Sequence, residues 1–218
     1  MRTMLIILAA FTFTLNIYSE PENLSKIKER LIAYHDSGKY SQDLASVSNE
    51  ALNYLHFRIN QNAQIKNPKK LAIVLDIDET SLSNYADLKR LDFGGTPGML
   101  NALENQGHDP AIPSTLALYN YAIANQIAVF FVTERTELQR DATISNLKNA
   151  GYDKWAGLYL KPDNANDSLV ASYKTAVRKK IISEGYDIAV NIGDQYSDLK
   201  GDYADMKYKL VDPYYYVN

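Results

Sequence analysis

Cysteine is absent from this chain of 218 residues, and histidine occurs only three times. The lack of cysteine excludes a disulfide framework, a thiolate metal site and a cysteine nucleophile. Because imidazole is scarce as well, any bound metal ion is expected to have oxygen ligands. An excess of basic charge is also lacking, since the formal net charge is −3 and the longest run of Lys and Arg covers only residues 178–180. Nucleic acid is therefore not an expected partner.

Long apolar runs are missing apart from one stretch near the N-terminus. Arg2 precedes an almost wholly apolar segment, residues 4–15, and the small residue Ser19 precedes a polar segment. This arrangement is typical of a secretory signal peptide, here residues 1–19, and the apolar part is too short to stay in a bilayer as a spanning helix. No cysteine follows that could carry a lipid. We therefore expect a mature protein of residues 20–218 that is periplasmic or secreted and has no stable membrane anchor.

The stretch with the clearest chemistry lies at residues 71–80. Five apolar residues, 71–75, follow the breaker segment 67–70 and predict a strand that is buried on both faces, as in a parallel sheet. Three acids come directly afterwards, Asp76, Asp78 and Glu79. Open α/β sheets bind ligands outside the carboxyl ends of their strands, where clustered carboxylates are costly without a cation. The alternative, a solvated turn, is equally compatible with this motif taken alone.

Strands and helices alternate along the rest of the chain. Helical spacing of apolar residues predicts two N-terminal helices, residues 24–34 and 41–64, the second with Ser41 as its cap. From residue 71 onward the pattern predicts a doubly wound, Rossmann-like parallel α/β sheet. Its further strands are expected at residues 127–132, 158–160, 188–192 and 208–211, and its helices at 115–125, capped by Ser114, at 137–149 and at 169–183.

One connection is too long to be an ordinary loop. Residues 81–113 lie between the first and second predicted strands and are interrupted by two turn-rich segments, 94–98 and 107–110. Insertions of this length are more often lids or binding segments than plain connections. We expect this insertion and the N-terminal helices, residues 22–66, to form a small, mostly helical cap beside the sheet.

Polar residues recur where the predicted strands end, and they make a chemically coherent set. Clustered carboxylates suit Mg²⁺, which prefers oxygen ligands and exchanges its waters for phosphate. A carboxylate can attack phosphorus, a second acid can protonate the leaving oxygen, and a hydroxyl and a lysine can hold the other phosphate oxygens. The pattern therefore favours phosphoryl transfer. The residues concerned are Asp76, Asp78, Thr133, Lys174, Asp194 and Asp198.

These residues, in this order, resemble the four motifs of the haloacid-dehalogenase (HAD) superfamily. Four longer stretches resemble the secreted acid phosphatases of that superfamily, which include the bacterial class C enzymes and the plant acid phosphatases related to vegetative storage proteins. The resemblance extends over roughly residues 24–217, and four motifs in the right order are specific where one is not. The stretches are residues 74–80 (VLDIDET) with Asn84 and Tyr85, 146–152 (NLKNAGY) with Trp155, 173–178 (YKTAVR) and 191–199 (NIGDQYSDL).

The resemblance implies a HAD-type fold and a role for each of these residues. Asp76 would be the nucleophile and Asp78 the general acid and base. Mg²⁺ would be bound by Asp76, the backbone carbonyl of Asp78 and Asp194. Asp198 would support the metal without coordinating it directly, or through a water molecule. Thr133 and Lys174 would bind the transferring phosphate. The implied protein is a secreted, Mg²⁺-dependent acid phosphatase acting on small phosphorylated substrates, with nucleoside monophosphates as one candidate class and a homodimer as the family expectation.

Two features of the sequence depart from the family pattern. Glu134 follows Thr133, where Gly or Asn is common, and it adds negative charge near the phosphate unless Arg135 neutralises it. Ser81 occupies a position that is usually apolar. Two other functions remain open: a phosphotransferase that passes the phosphoryl group to an alcohol, and a storage or surface-binding protein that only keeps the fold. The complete set of acids argues against the storage function, because clustered acids are costly without a catalytic use.

Overall fold

The structure is a computed structural model that describes residues 20–163 and 170–217. The predicted signal peptide, residues 1–19, and Leu169 at the start of a predicted helix lie outside the described residues. Among the helices in the described ranges, none combines the length and the apolar character needed to cross a membrane.

A five-stranded parallel sheet forms the centre of the molecule, as the strand pattern predicts. The strands follow the spatial order β3-β2-β1-β4-β5, and every neighbouring pair is parallel. The order reverses on the two sides of β1, so the sheet is doubly wound. The strands are β1 (Lys70–Leu75), β2 (Ala128–Thr136), β3 (Gly157–Lys161), β4 (Tyr186–Gly193) and β5 (Met206–Lys209).

Eight α-helices are described around this sheet, and most match the predicted ones. They are α1 (Leu24–Asp36), α2 (Lys39–Ala63), α3 (Tyr85–Arg90), α4 (Pro97–Glu104), α5 (Pro113–Ala124), α6 (Arg140–Asn149), α7 (Val170–Ser183) and α8 (Tyr196–Leu199). A short 3₁₀ turn, Glu137–Gln139, leads into α6.

Two predicted helix caps are wrong. Helix α2 begins two residues before Ser41, because Gly38, with a φ of 81°, turns the chain directly from α1 into α2. Left-handed backbone of this kind is open to glycine without steric cost. Helix α5 begins at Pro113, one residue before Ser114. Proline fits the first turn of a helix because its fixed φ is already helical and it has no N–H to leave unpaired.

Alternate residues of β1 are buried on opposite faces of the sheet. Ile73 and Leu75 join a large core that also contains residues of α2 and α5, whereas Ala72 and Val74 join a smaller core with Val177 and other residues on the α7 side. Helix α2 also packs against β4 and β5. The reading of β1 as a strand buried on both faces is thus confirmed.

The long insertion after β1 folds back on itself. It contains α3 and α4, and its two ends lie side by side through a bridge between Leu82 and Ala111. The backbone N–H of Ile112 donates to Ser81 O at 2.9 Å, and that of Ser83 donates to Pro110 O at 2.9 Å. The insertion therefore leaves and rejoins the sheet at one place, the carboxyl end of β1. Its assignment to a cap shared with the N-terminal helices stays a prediction.

Candidate active site

Three buried aspartates meet where the strand order reverses. Leu75 pairs with Ile192 in the β1–β4 register, and the N–H of Asp76 continues the pairing by donating to Ile192 O at 3.1 Å. This register brings Asp76, after β1, beside Asp194, after β4. Asp198 lies in α8, and one carboxylate oxygen from each of the three lies within 4.8 Å of the others. This crevice is the position at which doubly wound sheets bind ligands.

Lys174 is the cation that faces this group. It lies on α7, is buried, and its Nζ donates to Asp76 Oδ1 at 2.6 Å and also to Asp198 Oδ1. Burial alone would lower the pKa of Lys174, but Asp198 and Asp76 raise it well above its usual value, so its ammonium stays charged. Burial raises the pKa of Asp76, while Lys174 opposes that rise. Burial and the neighbouring acids also raise the pKa of Asp194.

The donor set fits a hard divalent cation. Three buried carboxylates face one lysine, so the cluster carries excess negative charge that a cation would neutralise. All of the donor atoms are oxygens, the type that Mg²⁺ prefers. Both Asp198 oxygens have protein partners, since Lys174 donates to Oδ1 and the N–H of Gln195 donates to Oδ2 at 2.8 Å. Asp194 likewise has a partner at each oxygen, so the roles of Asp194 as a ligand and of Asp198 as a support stay predictions.

The guanidinium of Arg135 holds Asp78, a contact that was not predicted from the sequence. Arg135 Nε lies 3.1 Å from both Asp78 carboxylate oxygens, and Arg135 Nη2 lies 2.6 Å from Oδ1. Asn84 Nδ2 donates to the same Oδ1 at 2.8 Å. Burial would raise the pKa of Asp78, but Arg135 and Asn84 lower it below its usual value. Asp78 is therefore oriented separately from the three-aspartate cluster.

Strand β2 continues past Thr133 to Thr136, whereas the sequence predicts that it ends at residue 132. Thr133 is fully buried, and its Oγ1 accepts from the N–H of Arg135 at 3.1 Å. In the described part of the chain, Arg135 forms ion pairs with Asp78 and Asp109 rather than with Glu134. Burial raises the pKa of Glu134 and Lys174 lowers it, which shows that this acid is close enough to the cluster to interact with it.

Several residues in the quoted motifs have contacts that sequence reasoning did not assign. Thr80 Oγ1 donates to Asp194 Oδ1 at 2.9 Å, and Gln195 Nε2 donates to Asp194 Oδ2 at 2.7 Å. Ser81 Oγ donates to the backbone carbonyl of Asp76 at 2.6 Å, which explains why a hydroxyl is tolerated at this buried position. The proximity of these residues to the acids in the sequence was the available signal for their roles.

Two aromatic residues, one in the insertion and one near the C-terminus, are core residues. Tyr85 and Tyr214 are both buried, and their ring centroids lie 5.6 Å apart. Phe93 stacks on Tyr214 with a centroid distance of 5.8 Å. Of the C-terminal tyrosines, Tyr216 is 69% exposed. Tyr85 and Tyr214 are therefore used by the fold itself.

Comparison with known protein families decides the classification. Residues 9–218 match the family described as HAD superfamily, subfamily IIIB (Acid phosphatase). The chain belongs to this family. As a member of subfamily IIIB it is a phosphomonoesterase, and the resemblance inferred from the motifs is confirmed.

Two plant relatives and one bacterial structure are similar to this chain. The chain is 32% identical to acid phosphatase 1 of Solanum lycopersicum over 82% of this chain and 69% of the relative. It is also 32% identical to vegetative storage protein 1 of Arabidopsis thaliana, over 83% of this chain and 66% of that protein. The class C acid phosphatase of Bacillus anthracis has the same fold, with a TM-score of 0.67 and 19% identity over 88% of this chain and 87% of that one.

Proposed function

We propose that this subfamily IIIB protein is a Mg²⁺-dependent acid phosphatase that hydrolyses small phosphate monoesters through an aspartyl-phosphate on Asp76. The observation that carries the proposal is the buried cluster of Asp76, Asp194 and Asp198 around Lys174 at the switch point of the sheet. Such a cluster supplies a nucleophile, metal ligands and a fixed positive charge within one crevice.

The proposed reaction has two balanced halves. In the first, an Asp76 oxygen forms a bond to phosphorus while the bond from phosphorus to the ester oxygen breaks. The fraction of Asp78 that is protonated, which is small because Arg135 and Asn84 lower its pKa, gives its proton to the departing alcohol. In the second, water attacks the phosphorus, Asp78 takes a proton from that water, and phosphate leaves as the Asp76 carboxylate is restored. Lys174 and Thr133 would hold the phosphate oxygens that do not take part in either bond.

Asp76, the backbone carbonyl of Asp78 and Asp194 would hold Mg²⁺, with Asp198 behind them. A bound Mg²⁺ neutralises the charge on the phosphoryl group and on the clustered acids. The side chains of the protein orient these ligands. Thr80 and Gln195 donate hydrogen bonds to Asp194, and Lys174 donates to both Asp76 and Asp198.

The cellular setting is part of the same proposal. A cleaved signal peptide over residues 1–19 would place the enzyme in a periplasm or outside the cell, where small phosphorylated metabolites are the substrates. Nucleoside monophosphates remain a candidate class, although Tyr85 and Tyr214 cannot stack on a base because both rings are buried in the fold. A homodimer and a cap formed by residues 22–66 and 81–113 are also proposed.

The proposal is tested by measuring phosphate release from an aryl phosphate at mildly acidic pH, with Mg²⁺ and with a chelator. We expect turnover that needs the metal and is abolished in Asp76→Asn, because the amide cannot form the phosphoaspartate. Circular dichroism should show the same fold in the variant. Unchanged turnover in Asp76→Asn would refute the covalent mechanism.

Two controls separate the competing functions. New phosphoesters formed on addition of an alcohol or nucleoside would identify a phosphotransferase. If the folded protein lacks turnover with every divalent metal tried, the storage or surface-binding function is favoured, as the similarity to a vegetative storage protein allows.

A further inference from the structure

The orientation of the Asp78 carboxyl depends on Arg135 and Asn84. Arg135 meets Asp78 with Nε and Nη2, at 3.1 Å and 2.6 Å from Oδ1, and Asn84 adds a third donor at 2.8 Å. A paired guanidinium fixes both the position and the plane of a carboxylate. A shift of Arg135 would therefore shift the Asp78 carboxylate as well.

Arg135 is itself incompletely fixed by its own contacts. Its side chain is buried, yet within the described part of the chain its Nη1 has no hydrogen-bond partner. Besides Asp78, its guanidinium contacts Asp109, whose Oδ2 lies 3.4 Å from Nη2. At this distance the contact acts mainly through charge, and burial strengthens that attraction. Asp109 therefore adds a second negative charge beside Nη2, the nitrogen that also contacts Asp78.

Asp109 belongs to the insertion, outside any helix or strand, and Asn146 determines where its backbone lies. Asn146 is buried on α6, and its Nδ2 donates to Asp109 O at 2.7 Å. The N–H of Asp109 points back to Asn146 Oδ1 at 3.4 Å. The amide side chain thus pairs with both backbone groups of one residue. This explains the position of Asn146 at the start of the 146–152 motif, which has no part in the proposed reaction.

We propose that Asp109 and Asn146 are positioning residues for Asp78. Asn146 fixes Asp109, Asp109 holds Arg135, and Arg135 orients the carboxyl that protonates the leaving group. The inference rests on the proposed function, since it assigns Asp78 the role of general acid. Neither Asp109 nor Asn146 contacts the three-aspartate cluster in the described hydrogen bonds and ion pairs.

The dependence on the leaving group distinguishes this role from ordinary structural support. An alkyl phosphate needs a proton on its departing oxygen, whereas 4-nitrophenyl phosphate releases a stable phenolate without one. A misplaced Asp78 should therefore impair hydrolysis of the alkyl ester far more than that of the aryl ester. A variant that is only partly folded loses the same fraction of activity on both.

The experiment compares kcat/KM for 4-nitrophenyl phosphate and glycerol phosphate in the Mg²⁺-loaded protein, because this ratio reports steps up to release of the alcohol. The variants are Asp109→Ala, Asp109→Asn and Asn146→Ala. Matched controls are Asp153→Ala and Asn149→Ala, since both of these side chains are exposed and Asn149 shares α6 with Asn146.

We expect Asp109→Ala and Asn146→Ala to lower the alkyl-to-aryl ratio of kcat/KM by about tenfold, a part of the usual contribution of a general acid. Asp109→Asn keeps the size of the side chain but removes the charge that attracts Arg135, so it should lower the ratio nearly as much as Asp109→Ala. The controls should keep the ratio of the unsubstituted protein. An unchanged ratio in all three variants overturns the inference alone. No turnover of either ester by the unsubstituted protein overturns the proposed function, and this inference with it.

Discussion

At the scale of single residues, Asp198 shows how tightly the cluster is constrained. One of its oxygens accepts from Lys174, the other accepts from the N–H of Gln195, and its backbone carbonyl accepts from Arg178 Nη1 at 2.6 Å. The side chain also lies directly against Gly193, where a Cβ would collide with the Cβ and carboxyl of Asp198. Glycine is needed at this position for close approach.

Gly193→Ala should therefore disrupt the site, because it places a methyl group against Asp198. The new methyl group must push Asp198 away, and Asp198 cannot move without releasing Lys174 or Gln195. We expect phosphatase activity to fall about a hundredfold, as misplacement by about 1 Å can do, and the stability to fall by about 1–3 kcal/mol from overpacking.

Gly98→Ala is the matched control for this substitution. Gly98 lies in the first turn of α4. Among the described residues, and apart from the backbone of its own helix, a Cβ there would meet only Thr96 Oγ1, at 4.0 Å. Activity assays and urea unfolding of the two variants measure the difference. Equal activity in Gly193→Ala and Gly98→Ala would show that the packing of Asp198 against residue 193 does not matter for catalysis.

The acids of the site could be predicted from the sequence, but several of their partners could not. Asp76 directly follows an apolar run and Asp194 follows another after Gly193, so a parallel sheet brings them to one edge whatever the strand order. Sequence reasoning left open whether Arg135 neutralises Glu134, its neighbour in sequence. Because β2 continues to Thr136, side chains on it alternate between faces, and Arg135 instead reaches Asp78. The residue at which β2 ends determines which contact Arg135 makes, and hydrophobic periodicity predicts strand ends poorly.

At the scale of elements, α2 is anchored to the loop after β1 by one buried hydrogen bond. Tyr40 in the first turn of α2 donates its hydroxyl to Glu79 Oε2, and both side chains are buried. Glu79 also accepts from the N–H of Asn84 at 2.6 Å, and it has a left-handed φ of 50°. The helix is thereby connected to the segment that carries Asp78.

Tyr40→Phe tests this connection. Removing the hydroxyl leaves a buried carboxyl oxygen without its donor, which should lower the free energy of unfolding by about 1–3 kcal/mol. Tyr34→Phe is the control, since Tyr34 donates to Asp43 in a half-buried setting, and we expect a loss of about 0.5 kcal/mol or less there. Chemical denaturation measures both. Similar losses in the two variants would contradict an anchoring role for Tyr40.

Elements were easier to predict from the sequence than their boundaries. Residues 71–75 are uniformly apolar because β1 is covered on both faces, and such a run leaves little choice but a central parallel strand. The start of α2 was misplaced because Ser41 is a good cap by residue type, while the left-handed backbone of Gly38 already turns the chain. Sequence alone does not show whether Gly38 or Ser41 starts α2, because the answer depends on the neighbouring helix α1.

At the scale of the whole molecule, the site joins parts of the chain that are distant in sequence. Asp76 and Lys174 are 98 residues apart, and Asp78 and Arg135 are 57 residues apart. The strand order β3-β2-β1-β4-β5 makes these contacts possible. The parallel sheet followed from the alternation of strands and helices, but the contacts between the insertion, β2 and α6 depend on side chains with no periodic pattern. Asn146 pairing with Asp109 is such a contact.

Because the acids of the cluster follow β1 and β4, two strands that are distant in sequence, metal binding should stabilise the whole fold. A ligand that binds only the folded state at about 100 times its Kd adds about 2.7 kcal/mol, which for a domain of this size raises Tm by roughly 5–10 °C. We expect this rise when Mg²⁺ replaces chelator in thermal unfolding of the unsubstituted protein. Asp194→Asn removes a proposed ligand and should remove most of the rise, whereas Asp153→Asn, at an exposed position, should keep it. An equal rise in Asp194→Asn would place the metal elsewhere on the protein, because a site built on Asp194 cannot bind Mg²⁺ unchanged after losing that charge.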